Sequence, residues 1–166
     1  MQPKSSRSRA PAVPAIDAGL RLLAQRAHSR AELWRKLARR GYGDDDVEGA
    51  LARLAELGYL DDSAFAEAYV RRRSVSLGPL ALSAELAARG VRRDLASLAI
   101  ARLSQASQVG AAIHLVHRQV GRKDPASYKE LLDTAGAKLL RRGFSRAVAQ
   151  EACRMVWAGT AGTPHP

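Results

Sequence analysis

LARRGY, residues 37–42, returns as LAARGV at 86–91 and as LLRRGF at 139–144. Each copy is a helix ending, a glycine and an apolar residue. The glycines, Gly41, Gly90 and Gly143, are 49 and 53 residues apart. Leu37, Leu86 and Leu139 stand four before them. The agreement continues downstream: Ala50, Ala99 and Ala152 lie nine after the glycine. Leu51, Ile100 and Cys153 lie ten after, and Leu54, Leu103 and Val156 thirteen after. The pattern predicts a helix, a glycine C-cap and a second amphipathic helix, used three times. A further amphipathic stretch precedes each pair: IDAGLRLLAQRA from Ile16, SAFAEAYVRRR from Ser63, AAIHLVHRQV from Ala111. The fold expected is all-α, with three tandem three-helix repeats over 16–58, 59–107 and 108–158 stacked into an elongated, curved array. A single compact bundle with fortuitous repetition is the alternative. Coincidence at six aligned offsets in three copies argues against it.

The composition agrees. Of 166 residues 46% are hydrophobic and 5% aromatic, and no strand-like alternation of β-branched and aromatic residues interrupts the helical pattern. Residues 1–15 hold three prolines, three serines and no acid, and are expected to form a disordered basic arm; 159–166 are expected to be a frayed tail. Cys153 is the one cysteine, so a reducing, cytoplasmic setting is expected. No apolar run approaches the roughly 20 residues that cross a bilayer, and no membrane association is expected. The arm has no apolar segment behind it and does not read as a secretory signal.

Helix starts are marked by chemistry. Ser29 with Glu32 forms a capping box. Asp44–Asp46 and Asp61–Asp62 put negative charge where the macrodipole favours it. Gly78-Pro79 and Asp124-Pro125 place proline at a first helical position.

There are 27 basic and 16 acidic residues, a formal net charge of +11, and 22 of the basic residues are arginine. Arginine suits bidentate contacts to carboxylate and phosphate, so a polyanionic or acidic partner is implied. The excess is uneven: net +1 over 16–58, +2 over 59–107 and +5 over 108–166. No phosphate-cradling loop, nucleophile elbow or isolated acid pair is present, so neither enzymatic activity nor a cofactor is expected. His114 and His117 lack a third ligand at metal-site spacing. Trp34, Trp157 and Cys153 read as core.

GYLDDSAFAEAYVRRR, residues 58–73, followed by GPLALSAELAARGV at 78–91, resembles the central repeat of the RecX regulatory proteins of bacteria. Its elements are Gly-aromatic-aliphatic-Asp-Asp, an aromatic-alanine helix with a basic end, Gly-Pro, a Leu-x-x-x-Leu helix and Gly-aliphatic. RLLAQRAHSRAELWRKLARRGY, residues 21–42, is similar to the family's first repeat. The likeness covers about residues 17–157, most weakly in the third repeat. The resemblance implies a non-enzymatic regulator that binds the RecA recombinase. Its members lie in the groove of the RecA–DNA filament and suppress ATP hydrolysis, strand exchange and coprotease activity. It also implies weak, non-specific DNA binding, and a monomer is expected.

Candidate contacts with RecA or DNA are the basic helix ends. They comprise Arg71, Arg72 and Arg73, Arg92 and Arg93, Lys36, Arg39 and Arg40, and Arg141, Arg142 and Arg146. Each has a plainer role available, because basic residues in a last turn complement the helix dipole. Three successive residues spread over roughly 200° of a helix, so Arg71–Arg73 cannot share a face. Arg71 or Arg73 is the expected outward contact. The competing function is a helix-turn-helix DNA reader, which needs a recognition helix for each groove contact and usually a dimer.

Overall fold

Gly41, Gly90 and Gly143 end their helices with φ of 88°, 76° and 81°, the left-handed conformation that only glycine adopts without strain. Gly58 does the same at 75°. The last turns close back on the leucines four residues before the glycine: the Phe144 N–H donates to the Leu139 carbonyl at 3.1 Å and that of Tyr59 to Leu54 at 2.9 Å. From these stops the architecture follows. The computed structural model describes residues 12–121 and 125–161, and every regular element among them is helical. The first three-helix set is α1 (Ala15–Gln25), α2 (Arg30–Ala38) and α3 (Asp44–Glu56). The second is α4 (Asp62–Arg73), α5 (Pro79–Ala88) and α6 (Arg93–Ala101). In the third, α7 (Gln105–Val120) and α10 (Arg146–Ala161) flank an interrupted helix, in which α8 (Tyr128–Leu131) passes through a π-helical segment, Leu132–Gly136, into α9 (Ala137–Arg141).

The chain forms two compact units. One runs to Phe65 and takes in Arg89–Arg92; the other comprises Ala66–Ala88 and the chain from Arg93 onward. In the first unit, Leu22, Leu33, Leu37, Val47, Leu51 and Leu54 form a shared core of α1–α3. In the second, Val116, Leu131, Leu139, Phe144, Ala152 and Cys153 do so for α7–α10. The repeat leucines Leu37, Leu86 and Leu139 are all at most 1% exposed. Ile100 and Leu103, the middle counterparts of fully buried positions, are only half-buried. Trp34 and Trp157 lie at the edges of their cores, and Trp157 packs tilted on Tyr128.

Each unit contains one docking of a helix start onto a repeat glycine. In the first, the Ser29 hydroxyl donates to the Arg89 carbonyl at 2.6 Å. A Cβ on Gly90 would overlap the Ala31 methyl. In the second, the N–H groups of Gly78 and Leu80 donate to the carbonyls of Arg142 (2.8 Å) and Gly143 (3.2 Å). A Cβ on Gly78 would overlap that backbone, and one on Gly143 would overlap the Ala81 amide. Gly90 and Gly143 thus serve twice: they permit the turn, and they admit the start of another helix against it.

Several boundaries differ from expectation. The Val13 carbonyl accepts from the Tyr42 hydroxyl at 2.8 Å and α1 begins at Ala15, so the arm expected to be disordered is held at its inner end. Residues 1–11 lie outside the described part. Helix α7 begins at Gln105, ahead of Ala111, because Ser104 caps it by accepting from the Ser107 N–H. It runs through Gly110, where a Cβ would meet nothing within 4 Å, so only the modest helix cost of glycine applies. Asp124 lies outside the described residues, and Pro125 is not the first helical residue. Ser127 caps α8 instead, with Glu130 reaching back to the Ala126 N–H at 2.9 Å. The expected frayed end from Ala158 is helical to Ala161.

Candidate functional site

The two aspartates after Tyr59 divide their work. Asp61 caps its own helix, accepting from the N–H groups of Ser63 (2.8 Å) and Ala64 (3.0 Å). Asp62 accepts the Arg30 N–H at 2.7 Å, an otherwise orphaned donor in the first turn of α2. Two helix starts are therefore satisfied by one acidic pair.

At the other end of α4 the three arginines have three environments. Arg73 donates to Glu85 on α5 at 3.1 and 3.4 Å, and the Tyr69 hydroxyl hydrogen-bonds the same carboxylate. The Glu85 hydrogen bond holds the Arg73 guanidinium more firmly protonated than usual. The Arg72 guanidinium lies 5.5 Å from the centroid of the Tyr69 ring, a cation–π contact. Arg71 is exposed and has no ion pair among the described residues. Of the two expected outward contacts, Arg71 is displayed and Arg73 ties α4 to α5.

The remaining nominated residues stand at separate helix ends. Arg39 and Arg40 are exposed after α2, with the Arg39 Nε donating to the Arg35 carbonyl at 3.2 Å; Lys36 is half-buried. Arg92 and Arg93 are exposed at the start of α6. Arg141 is exposed, whereas Arg142 is half-buried and donates to the Ser76 carbonyl at 3.2 Å. Arg146 is exposed at the first position of α10, behind the Ser145 cap. Arg40, Arg71, Arg93, Arg141 and Arg146 are thus exposed with no ion pair among the described residues. Arg73 and Arg142 are held within the fold.

One cluster was not evident in the sequence. Ser29 accepts from the Glu32 N–H at 3.1 Å, but the Glu32 carboxylate does not return the bond as a capping box requires. It accepts instead from Arg26 (3.1 Å), from Arg89 and from His28 (3.2 Å). Burial alone would raise the Glu32 pKa, but the hydrogen bonds from Arg26 and Arg89 outweigh it and hold the carboxyl below its ordinary range. His28 is buried, and burial followed by the Arg26 charge pushes its imidazole below the usual value. The signal available in the sequence was an acid four residues after a histidine and six after an arginine. The third partner, Arg89, is 57 residues away.

His114 and His117 are both exposed, and the described residues hold no group of three potential metal ligands. Cys153 is buried, and burial pushes its thiol up, which leaves it the small hydrophobe expected. No helix among the described residues is long and apolar enough to cross a membrane.

The chain is similar to known proteins over most of its length. The family model described as RecX, first three-helix domain, matches residues 15–54, and that of the RecX second three-helix domain matches 61–100. A regulatory protein RecX of Thermus thermophilus is 38% identical over 141 residues, covering 85% of this chain and 91% of that protein. Its namesake from Mycobacterium sp. strain JLS is 36% identical over 146 residues, covering 84% and 80%. The crystal structure of RecX from Lactobacillus salivarius superposes with a TM-score of 0.78 over 87% of this chain and 95% of that one, at 23% identity.

Proposed function

This chain belongs to the RecX family of regulatory proteins, and on that premise we propose that it binds the RecA–DNA filament along its groove and restrains it. The activities restrained are ATP hydrolysis, strand exchange and coprotease function, so the protein tempers recombination and the DNA-damage response. It acts by binding, as a cytoplasmic monomer. The observation that carries the reading is the set of exposed arginines without ion pairs among the described residues, Arg40, Arg71, Arg93, Arg141 and Arg146. A cation left unpaired on the surface remains available to an acidic side chain or a phosphate.

The test is co-sedimentation with RecA filaments against bare DNA at equal salt. Preferential binding to filament supports the proposal; equal binding to both favours the helix-turn-helix DNA reader. Arg71→Ala should weaken inhibition of filament ATP hydrolysis about threefold to fivefold while stability stays within about 0.5 kcal/mol. Arg73→Ala should do the reverse, lowering stability by up to about 1 kcal/mol because Glu85 loses a half-exposed partner. A folded Arg71→Ala protein with undiminished inhibition would remove this helix end from the contact.

DNA binding without RecA should be weak and indifferent to sequence. Several phosphate contacts predict a log–log salt slope of magnitude about 3–6. A salt-independent affinity, or preference for one duplex sequence, would contradict this.

A further inference from the structure

An open pocket of about 240 Å³ lies between the interrupted helix of the third set and α10. Leu132, Gly136, Ala137 and Leu140 line it from one side and Ala149 from the other. Asp133, Arg146 and Gln150 supply the polar part of the lining. The π-helical segment contributes three of these residues. Such a turn carries an extra residue and leaves carbonyl groups out of register, and it is frequent at functional sites. Here the Thr134 hydroxyl compensates by donating to the Glu130 carbonyl at 2.7 Å. Gly136 is buried beneath it, where a Cβ would come within 3.0 Å of the Leu132 Cδ1.

Size, apolarity and charge together define the occupant. The volume falls below the roughly 300–1,000 Å³ of small-molecule sites, but accommodates one anchoring side chain. The two charged groups of the lining differ in what already faces them. Asp133 is approached by Lys129 at 3.9 Å, whereas Arg146 has no ion pair among the described residues. Arg146 also stands in the first turn of α10, where the helix dipole disfavours a cation. A carboxylate arriving at that point would be favoured by both the guanidinium and the helix end. The excess of +5 over residues 108–166 acts in the same direction.

We propose that this pocket docks an acidic segment of a partner protein, which inserts one leucine-sized aliphatic side chain and presents a carboxylate to Arg146. The inference shares Arg146 with the filament reading, but it defines the partner by its chemistry alone, and its test contains neither RecA nor DNA.

The experiment is titration of the isotope-labelled full-length protein, followed by amide shifts, with a blocked pentapeptide of one leucine between two pairs of glutamates. The expected result is saturable shifts at Ala137, Leu140 and Gln150. Replacing the leucine by alanine, or the glutamates by glutamine, should weaken binding tenfold or more. Arg146→Glu should do the same without lowering the melting temperature, since an acid suits a helix start. Ala137→Phe, which fills the pocket, should also abolish the shifts; should it fail to fold, Arg146→Glu decides alone. Shifts confined to Arg71 or Arg93, undiminished binding by Arg146→Glu, or an alanine peptide that binds as well as the leucine one would overturn the proposal.

Discussion

Gly143→Ala is expected to destabilise the chain by about 2–5 kcal/mol. Two costs combine. A Cβ in the left-handed region costs about 1–2 kcal/mol, and Gly143 has φ of 81°. The same Cβ would lie 2.7 Å from the Ala81 Cβ and overlap the Ala81 amide nitrogen. That neighbour is backbone, so no rotamer change relieves the clash, and overpacking adds about 1–3 kcal/mol. Relief by separation would pull the N–H groups of Gly78 and Leu80 from the carbonyls of Arg142 and Gly143. Gly58→Ala is the control. Its φ is 75°, but a Cβ there would meet nothing within 4 Å, so only the conformational cost of about 1–2 kcal/mol applies. Urea unfolding of both variants separates the terms. Equal losses would mean that the glycine turn of the third set bears no close contact; a clearly larger loss at Gly143 measures the docking.

That contrast also marks how far the sequence could be read. The glycine spacing was legible because every set needs the same positive φ at the same place, and a local requirement leaves a local trace. The leucines four residues earlier were legible for the same reason, since their period is fixed by the helix. What each glycine packs against was not, because Ala31 and Ala81 are unremarkable residues until folding brings them near. Asp62 shows a related limit: it reads as one more helix-start acid, yet its oxygen accepts from Arg30, 32 residues earlier. The nominated arginines were legible as helix ends but not as paired or displayed. Arg71 and Arg73 are two residues apart, and only the presence of Glu85 on α5 separates their roles. The π-helical segment had no trace in LDTAG, because an extra residue in a turn changes neither composition nor capping.

Glu32→Gln should cost about 2–3 kcal/mol at neutral pH, and its effect should fade on acidification. The Glu32 side chain is 11% exposed and accepts from Arg26, Arg89 and His28. Breaking a fully buried pair typically costs about 3–5 kcal/mol; the expectation here is lower because Arg26 and Arg89 are partly exposed and solvent screens them. Glutamine keeps one acceptor but turns an amide NH2 toward the remaining donors. The pH dependence follows from linkage. The folded state holds the Glu32 pKa below its ordinary 4.5, so the unfolded state binds more protons there. The carboxylate's contribution is therefore complete above that value and is lost as pH falls through the folded pKa. His28 is also lowered, from 6.5, chiefly by burial and then by Arg26, with Lys36 adding to the effect and Glu32 opposing it. The unfolded imidazole binds its proton first, so stability begins to fall below about pH 6.5 in both proteins. The substitution touches both steps: it removes the lower one and, by taking away the carboxylate that raises the His28 pKa, deepens the upper one. Unfolding free energies of the wild type and Glu32→Gln, measured from about pH 7 down to about pH 3, should differ at neutral pH, differ more as His28 titrates below about 6.5, and converge below about 4.5. A gap that stays constant across that whole range would show that the carboxylate's charge does not hold this joint, and that the Ser29 and Asp62 hydrogen bonds carry it alone.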